Sequence, residues 1–162
     1  MGKIVEKILG FLTVISLAGV IITVTIQIMS RYLPYTAIWT EELTRYLFIY
    51  AICFGAPLAL IRNEFINVDL ILNKMSNKFR RYYEVVIYIS ILVLSVVMIF
   101  EGYTFTLIGH NQTSATMPFQ MSLIHGAILV MSIFLAIYSI VKIVDLVRNE
   151  QDYTQDYGGE DL

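Results

Sequence analysis

Residues 8–30 read ILGFLTVISLAGVIITVTIQIMS, with no charged side chain from end to end. A helix needs about 20 apolar residues to cross roughly 30 Å of hydrocarbon, and this stretch supplies them without interruption. Three more runs follow, at residues 46–61, 85–100 and 119–141, the last with only His125 as a titratable group. The second and third are shorter, and polar neighbours at their ends can snorkel to the interface. Each run is too continuous to be one face of an amphipathic helix in water. The fold class is therefore all-α integral membrane: four transmembrane helices, plus a short interfacial amphipathic helix between the second and third.

The chain is 57% hydrophobic over 162 residues, which leaves little for a separate soluble domain. Residues 1–148 are expected to form one four-helix transmembrane domain. Residues 149–162 are polar and acidic, carry Gly158 and Gly159, and are expected to be a disordered cytoplasmic tail. Lys3 and Lys7 precede the first run as they would in a signal peptide, but the run is too long for one and no small-x-small site follows it, so it is expected to be retained. A polar tail ending at Leu162 predicts a chain not fused to a larger partner. Cys53 is the single cysteine, so no disulfide framework exists, and its place inside the second run reads as a small buried apolar residue.

With four spans, both termini and the middle loop share a side. That side holds Lys3, Lys7, Arg62, Lys74, Lys78, Arg80, Arg81, Lys142 and Arg148; the other holds only Arg31 and Arg45. Lys and Arg concentrate on the cytoplasmic side of membrane proteins, which predicts cytoplasmic termini. Tyr32, Tyr35, Trp39 and Tyr46 fall where an outer aromatic belt belongs. Between the second and third spans, Val68, Ile71, Leu72, Met75 and Phe79 recur at helical spacing, the basis for the interfacial helix. Its basic end, Lys74, Lys78, Arg80 and Arg81, is placed to meet anionic lipid head groups.

The densest polar pattern is Trp39-Thr-Glu-Glu-Leu-Thr-Arg-Tyr46 at the start of the second span. Glu41 and Arg45 are spaced for a helical ion pair. Acids also suit the positive end of a helix, with Thr40 or Thr36 as the cap. Glu42 adds a third charge at the mouth of a span, where a partner surface that satisfies these groups is one reading and a well-capped helix start is the other. Pro57 removes a hydrogen bond inside the second span, and Gly55 and Ala56 beside it allow close helix approach. Gly102 and Gly109 are expected to break up the end of the third span, and counting from Tyr82 places Glu101 near the outer interface. No phosphate loop, metal-ligand spacing or nucleophile–base set is present, so no catalytic, cofactor or metal residue is assigned. No nucleic-acid partner is implied. His110 and His125 would hold a haem only from facing helices at similar depth.

Taken in order, Arg31-Tyr32, the Trp39–Tyr46 element, Gly55-Ala56, and Arg62 followed by Ile66-Asn67-Val68-Asp69 resemble the small membrane subunit of TRAP transporters, the DctQ-type small permease of tripartite ATP-independent systems. The resemblance covers roughly residues 5–145. This chain has Phe65 where the family usually has histidine, and no proline near the outer third of the fourth span. The resemblance implies a non-catalytic role beside a large membrane subunit that moves the substrate with sodium ions by an elevator motion. A periplasmic binding protein would deliver an organic acid such as a C4-dicarboxylate or a sialic acid. On this reading Trp39, Glu41, Glu42, Arg45, Tyr46, Gly55 and Asp69 are candidates for partner contact. Sodium coupling is expected in the large subunit, and the location in the bacterial inner membrane. A haem-binding membrane anchor, a self-contained small transporter and a structural tetraspan protein stand as alternatives.

Overall fold

The computed structural model describes residues 2–32, 37–62 and 77–156, with side chains described within 3–32, 37–62 and 82–148. Four helices account for nearly all of these: α1 (Gly2–Ser30), α2 (Trp39–Ile61), α3 (Asn77–His110) and α4 (Ser122–Asp156). Each contains a stretch long and apolar enough to cross a membrane, at Lys3–Ser30, Trp39–Ile61, Tyr82–His110 and Ser122–Arg148. The all-α, four-span architecture matches the hydropathy of the chain. The expected interfacial helix lies mostly outside the described residues; residues 77–81 belong to the first turns of α3. Helical backbone continues to Asp156, beyond residue 148 where the membrane domain was drawn to end.

α1 packs on α2, α2 on α4 and α4 on α3. The sequential pairs α1/α2 and α3/α4 run antiparallel, so α2 and α4 lie side by side in parallel at the centre. Contacts at both ends fix this. Arg62 at the end of α2 meets Glu6 at the start of α1, with Nε 2.9 Å from Oε1. At the opposite end, the Thr44 hydroxyl donates to Thr23 at 2.8 Å, and the Tyr50 hydroxyl donates to the Leu123 carbonyl at 2.9 Å. Leu60 and Tyr88 bury one another with Leu135 and Tyr138 nearer the termini.

Why these faces meet is written in a seven-residue rhythm. The buried positions include Leu9, Ser16 and Thr23 on α1; Tyr46, Cys53 and Leu60 on α2; Tyr88, Ser95, Gly102 and Gly109 on α3; and His125, Ser132 and Ser139 on α4. A strict heptad keeps one seam facing a neighbour along a left-handed crossing. Most of these side chains are small, as expected where lipid offers no hydrophobic incentive and helices associate by close backbone approach. Two of their hydroxyls are spent locally, Ser95 donating to the Ile91 carbonyl at 2.7 Å and Ser132 to the Ile128 carbonyl at 2.8 Å, whereas the buried Ser139 hydroxyl has no partner among the described residues. Bulky apolar residues point outward instead, Phe11, Ile21 and Met29 on α1 and Leu94 and Phe100 on α3 among them. In water such surfaces would aggregate; against acyl chains or another membrane protein they are stable.

Two local expectations change. α3 is unbroken through Gly102 and Gly109 to His110, because both glycines face α4 and let it approach: a Cβ on Gly102 would lie 3.5 Å from the Leu129 Cα. Thr40 does not cap α2. The N-cap is Ile38, without a side-chain cap bond, and the buried Thr40 hydroxyl donates to the Ala37 carbonyl at 2.6 Å. α2 also continues through the buried Pro57 from Trp39 to Ile61, and its charged first turns are part of the helix.

Candidate functional site

The polar element of α2 and the segment joining α3 to α4 form one site. Residues 111–121 make a small hairpin: Thr113 and Gln120 bridge antiparallel, the Ser114 amide donates to the Phe119 carbonyl at 3.0 Å, and the Met121 amide donates to the Gln112 carbonyl at 2.9 Å. The hairpin closes on Glu42. Its carboxylate accepts from the consecutive amides of Ala115 (3.2 Å) and Thr116 (2.9 Å), and from the Thr116 and Tyr46 hydroxyls. Successive N–H groups converging on one anion form a small nest, and every partner of Glu42 in this set is a donor.

Tyr46 holds the other side of the contact. It is buried rather than part of an exposed aromatic belt, because its ring lies edge-on to Phe119 at 5.4 Å and its hydroxyl reaches the Met121 sulfur at 3.2 Å. Beneath it, His125 is buried, stacked on Phe105 with ring centres 3.6 Å apart. Its Nδ1 lies 3.0 Å from the Phe105 carbonyl, an acceptor, so Nδ1 carries the proton. This ring therefore works as a packing piece between α3 and α4, while His110 is exposed at the end of α3. Among the described residues no group of three or more His, Cys, Asp or Glu side chains gathers to hold a metal.

An open, mainly apolar groove of about 560 Å³ lies below the hairpin, lined by Ile38, Tyr46, Ile49, Phe105, Met121 and Ile124 among others. Glu41 and Arg45 also line it, joined by the predicted ion pair at 2.9 Å and both largely exposed. Of the candidates for partner contact, Trp39, Glu41 and Arg45 are thus on the surface, whereas Glu42 and Tyr46 are engaged by the chain's own hairpin. Gly55 faces α1, where its Cβ would lie 3.5 Å from Thr13. Asp69 and Lys74 lie outside the described residues, and the side chains of Lys78, Arg80 and Arg81 are likewise not described. The hairpin went unrecognised in the sequence; Thr113 to Met117 offers hydroxyls and free amides, but nothing local names Glu42, about 70 residues away, as their acceptor.

Four long apolar helices and a charged rim define a multi-pass membrane protein. A family model described as "Tripartite ATP-independent periplasmic transporters, DctQ component" matches residues 20–149, from within α1 to the end of the α4 span. The chain belongs to this family: it is a small permease subunit of a TRAP transporter and not an enzyme. It is 28% identical over 154 residues to the sialic acid TRAP transporter small permease protein SiaQ of Vibrio cholerae, covering 91% of this chain and 86% of that one. It is 24% identical over 96 residues to the isethionate TRAP transporter permease protein DctMQ of Oleidesulfovibrio alaskensis, and 33% identical over 78 residues to the sialic acid TRAP transporter permease protein SiaT of Haemophilus influenzae. Those matches cover 55% and 48% of this chain but only 15% and 12% of the longer permeases. Membership of a permease family of this kind implies a large membrane subunit as partner.

Proposed function

We propose that this chain is the small membrane subunit of a sodium-coupled TRAP transporter for organic acids of the sialic acid or C4-dicarboxylate type. It widens and steadies the static part of the large membrane subunit and helps present a docking surface to a periplasmic binding protein. Residues 1–148 form the membrane domain and residues 149–162 a cytoplasmic tail, with both termini in the cytoplasm and the hairpin outside. The observation that carries this reading is the match to a small permease across nearly the full length of both chains. The structure agrees in kind: the seams between helices are small and uncharged, the outward faces are apolar, and the exposed charges of α2 sit on the hairpin rim. Such a body is a scaffold, and among the described residues it holds no buried pair of ionisable groups of the sort that couples ions to transport.

The test is affinity purification of the tagged chain from native membranes in mild detergent, followed by mass identification. Stoichiometric recovery of a large polytopic membrane protein supports the proposal, and the binding protein of the same system then reports the solute. Recovery of the chain alone, or sodium-independent uptake by the chain alone in liposomes, would overturn it.

A further inference from the structure

We propose that Glu101 marks the face of α3 that packs, within the bilayer, against a transmembrane helix of the large membrane subunit bearing a lysine, an arginine or a cluster of hydrogen-bond donors at the same depth. The inference rests on the subunit reading above and goes beyond it by naming the surface and the chemistry opposite it.

Depth comes first. Glu101 lies inside the membrane-crossing stretch Tyr82–His110, nine residues short of its end. At 1.5 Å per residue the whole 29-residue stretch is about 43 Å long, against roughly 30 Å of hydrocarbon, so with the stretch centred in the bilayer Glu101, five residues past its midpoint, lies about 7 Å inside the outer edge, deeper than the interfacial position that counting from Tyr82 gives. The neighbouring helix agrees: Gly102 lies against Leu129, well within α4, while Gly109 meets Ser122 at the start of that helix. A glutamate side chain is too short to snorkel across that distance.

Direction comes second. Glu101 is exposed and has no hydrogen-bond or ion-pair partner among the described residues. It belongs to a stripe of exposed residues, Ser90, Leu94, Val97, Glu101, Thr104 and Ile108, separated by alternating steps of four and three. That stripe is distinct from the buried heptad Tyr88, Ser95, Gly102 and Gly109, which is used by α4. The Ser90 and Thr104 hydroxyls are already spent on the carbonyls of Val86 (2.8 Å) and Phe100 (3.3 Å), so both can sit against an apolar neighbour. Glu101 alone on the stripe demands a partner, since an acid facing lipid at this depth is costly.

A second copy of this chain is a poor match for this face. Arg45, six residues inside the outer end of α2, is the one cation that comes near this depth, and it is already paired with Glu41; no other Lys or Arg falls between Lys7 and Arg31, between Arg31 and Arg62, or between Arg81 and Lys142. A two-fold pairing on this face would also bring like charges together. The occupant is therefore a different membrane chain with a complementary charge or donor set.

The experiment uses the complete transporter in native membranes. A photo-crosslinking residue is placed at Val97 or Ile108 on the stripe, and at Val96 or Leu107 on the adjoining exposed face of α3. Adducts to the large subunit from the first pair, and few from the second, are expected. In parallel, Glu101→Lys is expected to lower co-purification of the large subunit by about tenfold or more, as for a desolvated charge pair turned repulsive, with Glu101→Gln intermediate. The variants' abundance in membranes should stay at the wild-type level. Stripe adducts only to a second copy, no protein adduct from the stripe, or full co-purification of Glu101→Lys would overturn the inference while leaving the subunit reading intact. Failure of the unaltered chain to recover a large subunit would overturn both.

Discussion

The tightest point in the molecule is Gly109, and replacing it by alanine should damage the hairpin end of the α3/α4 pair. A Cβ built there would lie 2.4 Å from Nδ1 of His125, 2.8 Å from the Ser122 backbone nitrogen and 3.0 Å from the Ser122 Cα, where ordinary contact begins at 3.4 Å. The His125 ring must retreat by about 1 Å, breaking its bond to the Phe105 carbonyl and its stack, and the start of α4 must move as well, because the Ser122 contacts are to backbone; a larger shift of α4 could relieve both. Overpacking of this kind costs about 1–3 kcal/mol. A lost interhelical hydrogen bond in a membrane protein adds about 0.6 kcal/mol, and the better helix propensity of alanine returns up to about 1 kcal/mol. The net is roughly 1–3 kcal/mol, or about 2–10 °C in melting temperature for a chain of this size. The buried Cys53 thiol provides the assay, since a thiol-reactive dye reports unfolding of the detergent-solubilised protein as the cysteine becomes accessible. Gly10→Ala and Gly126→Ala are matched controls, because a Cβ at either meets its nearest atom at 3.8 Å and should leave the melt unchanged or slightly raised. A Gly109→Ala protein that melts with the controls would refute the argument. If the His125 ring carries most of the clash, the penalty of Gly109→Ala should also shrink in a His125→Ala background.

Three further outcomes follow from the same geometry. Glu42→Gln should loosen the hairpin, and hydrogen exchange at the Ala115 and Thr116 amides should quicken by roughly tenfold or more; unchanged exchange would show that the carboxylate does not hold the loop. Arg45→Ala should shift stability by less than about 1 kcal/mol, because its pair with Glu41 is exposed, yet lower uptake or subunit recovery if this rim meets a partner. A cysteine placed at Thr113 in a Cys53→Ser background should react with a membrane-impermeant maleimide in spheroplasts, while a fluorescent protein fused to the C-terminus should fold and fluoresce; the reverse pattern would invert the proposed orientation.

The span count, the architecture and the family were legible because they depend on runs and spacings: residues 8–30 announce a membrane helix alone, and Trp39, Glu41, Glu42 and Arg45 in order with Asp69 identify the family. The Glu41–Arg45 pair was legible too, since an i,i+4 contact needs only one helix. What remained hidden needed two elements. Glu42 reads as a helix-terminus acid or a partner contact until the hairpin is placed over it. Tyr46 reads as an interfacial aromatic until Phe119 and Met121 cover it. Gly102 and Gly109 read as helix breakers because glycine has poor helix propensity in water, but in a bilayer the gain from close approach decides their role.

That last reversal explains more than two glycines. Between lipid and protein there is little hydrophobic difference, so a bulky apolar side chain gains little by turning inward, and helices pack through residues that let backbones approach. Leu94, Val97 and Phe100 can therefore face outward while Ser95 and Gly102, on the same turns, face α4. The usual equation of apolar with buried fails here, and the informative residue on an outward face becomes the polar one. By that criterion Ser90 and Thr104 are silent, because their hydroxyls are satisfied within α3, and Glu101 is not. A scaffold that offered only aliphatic faces could meet another subunit in many registers; on the inference drawn above, an acid below the interface selects the register in which its charge is answered.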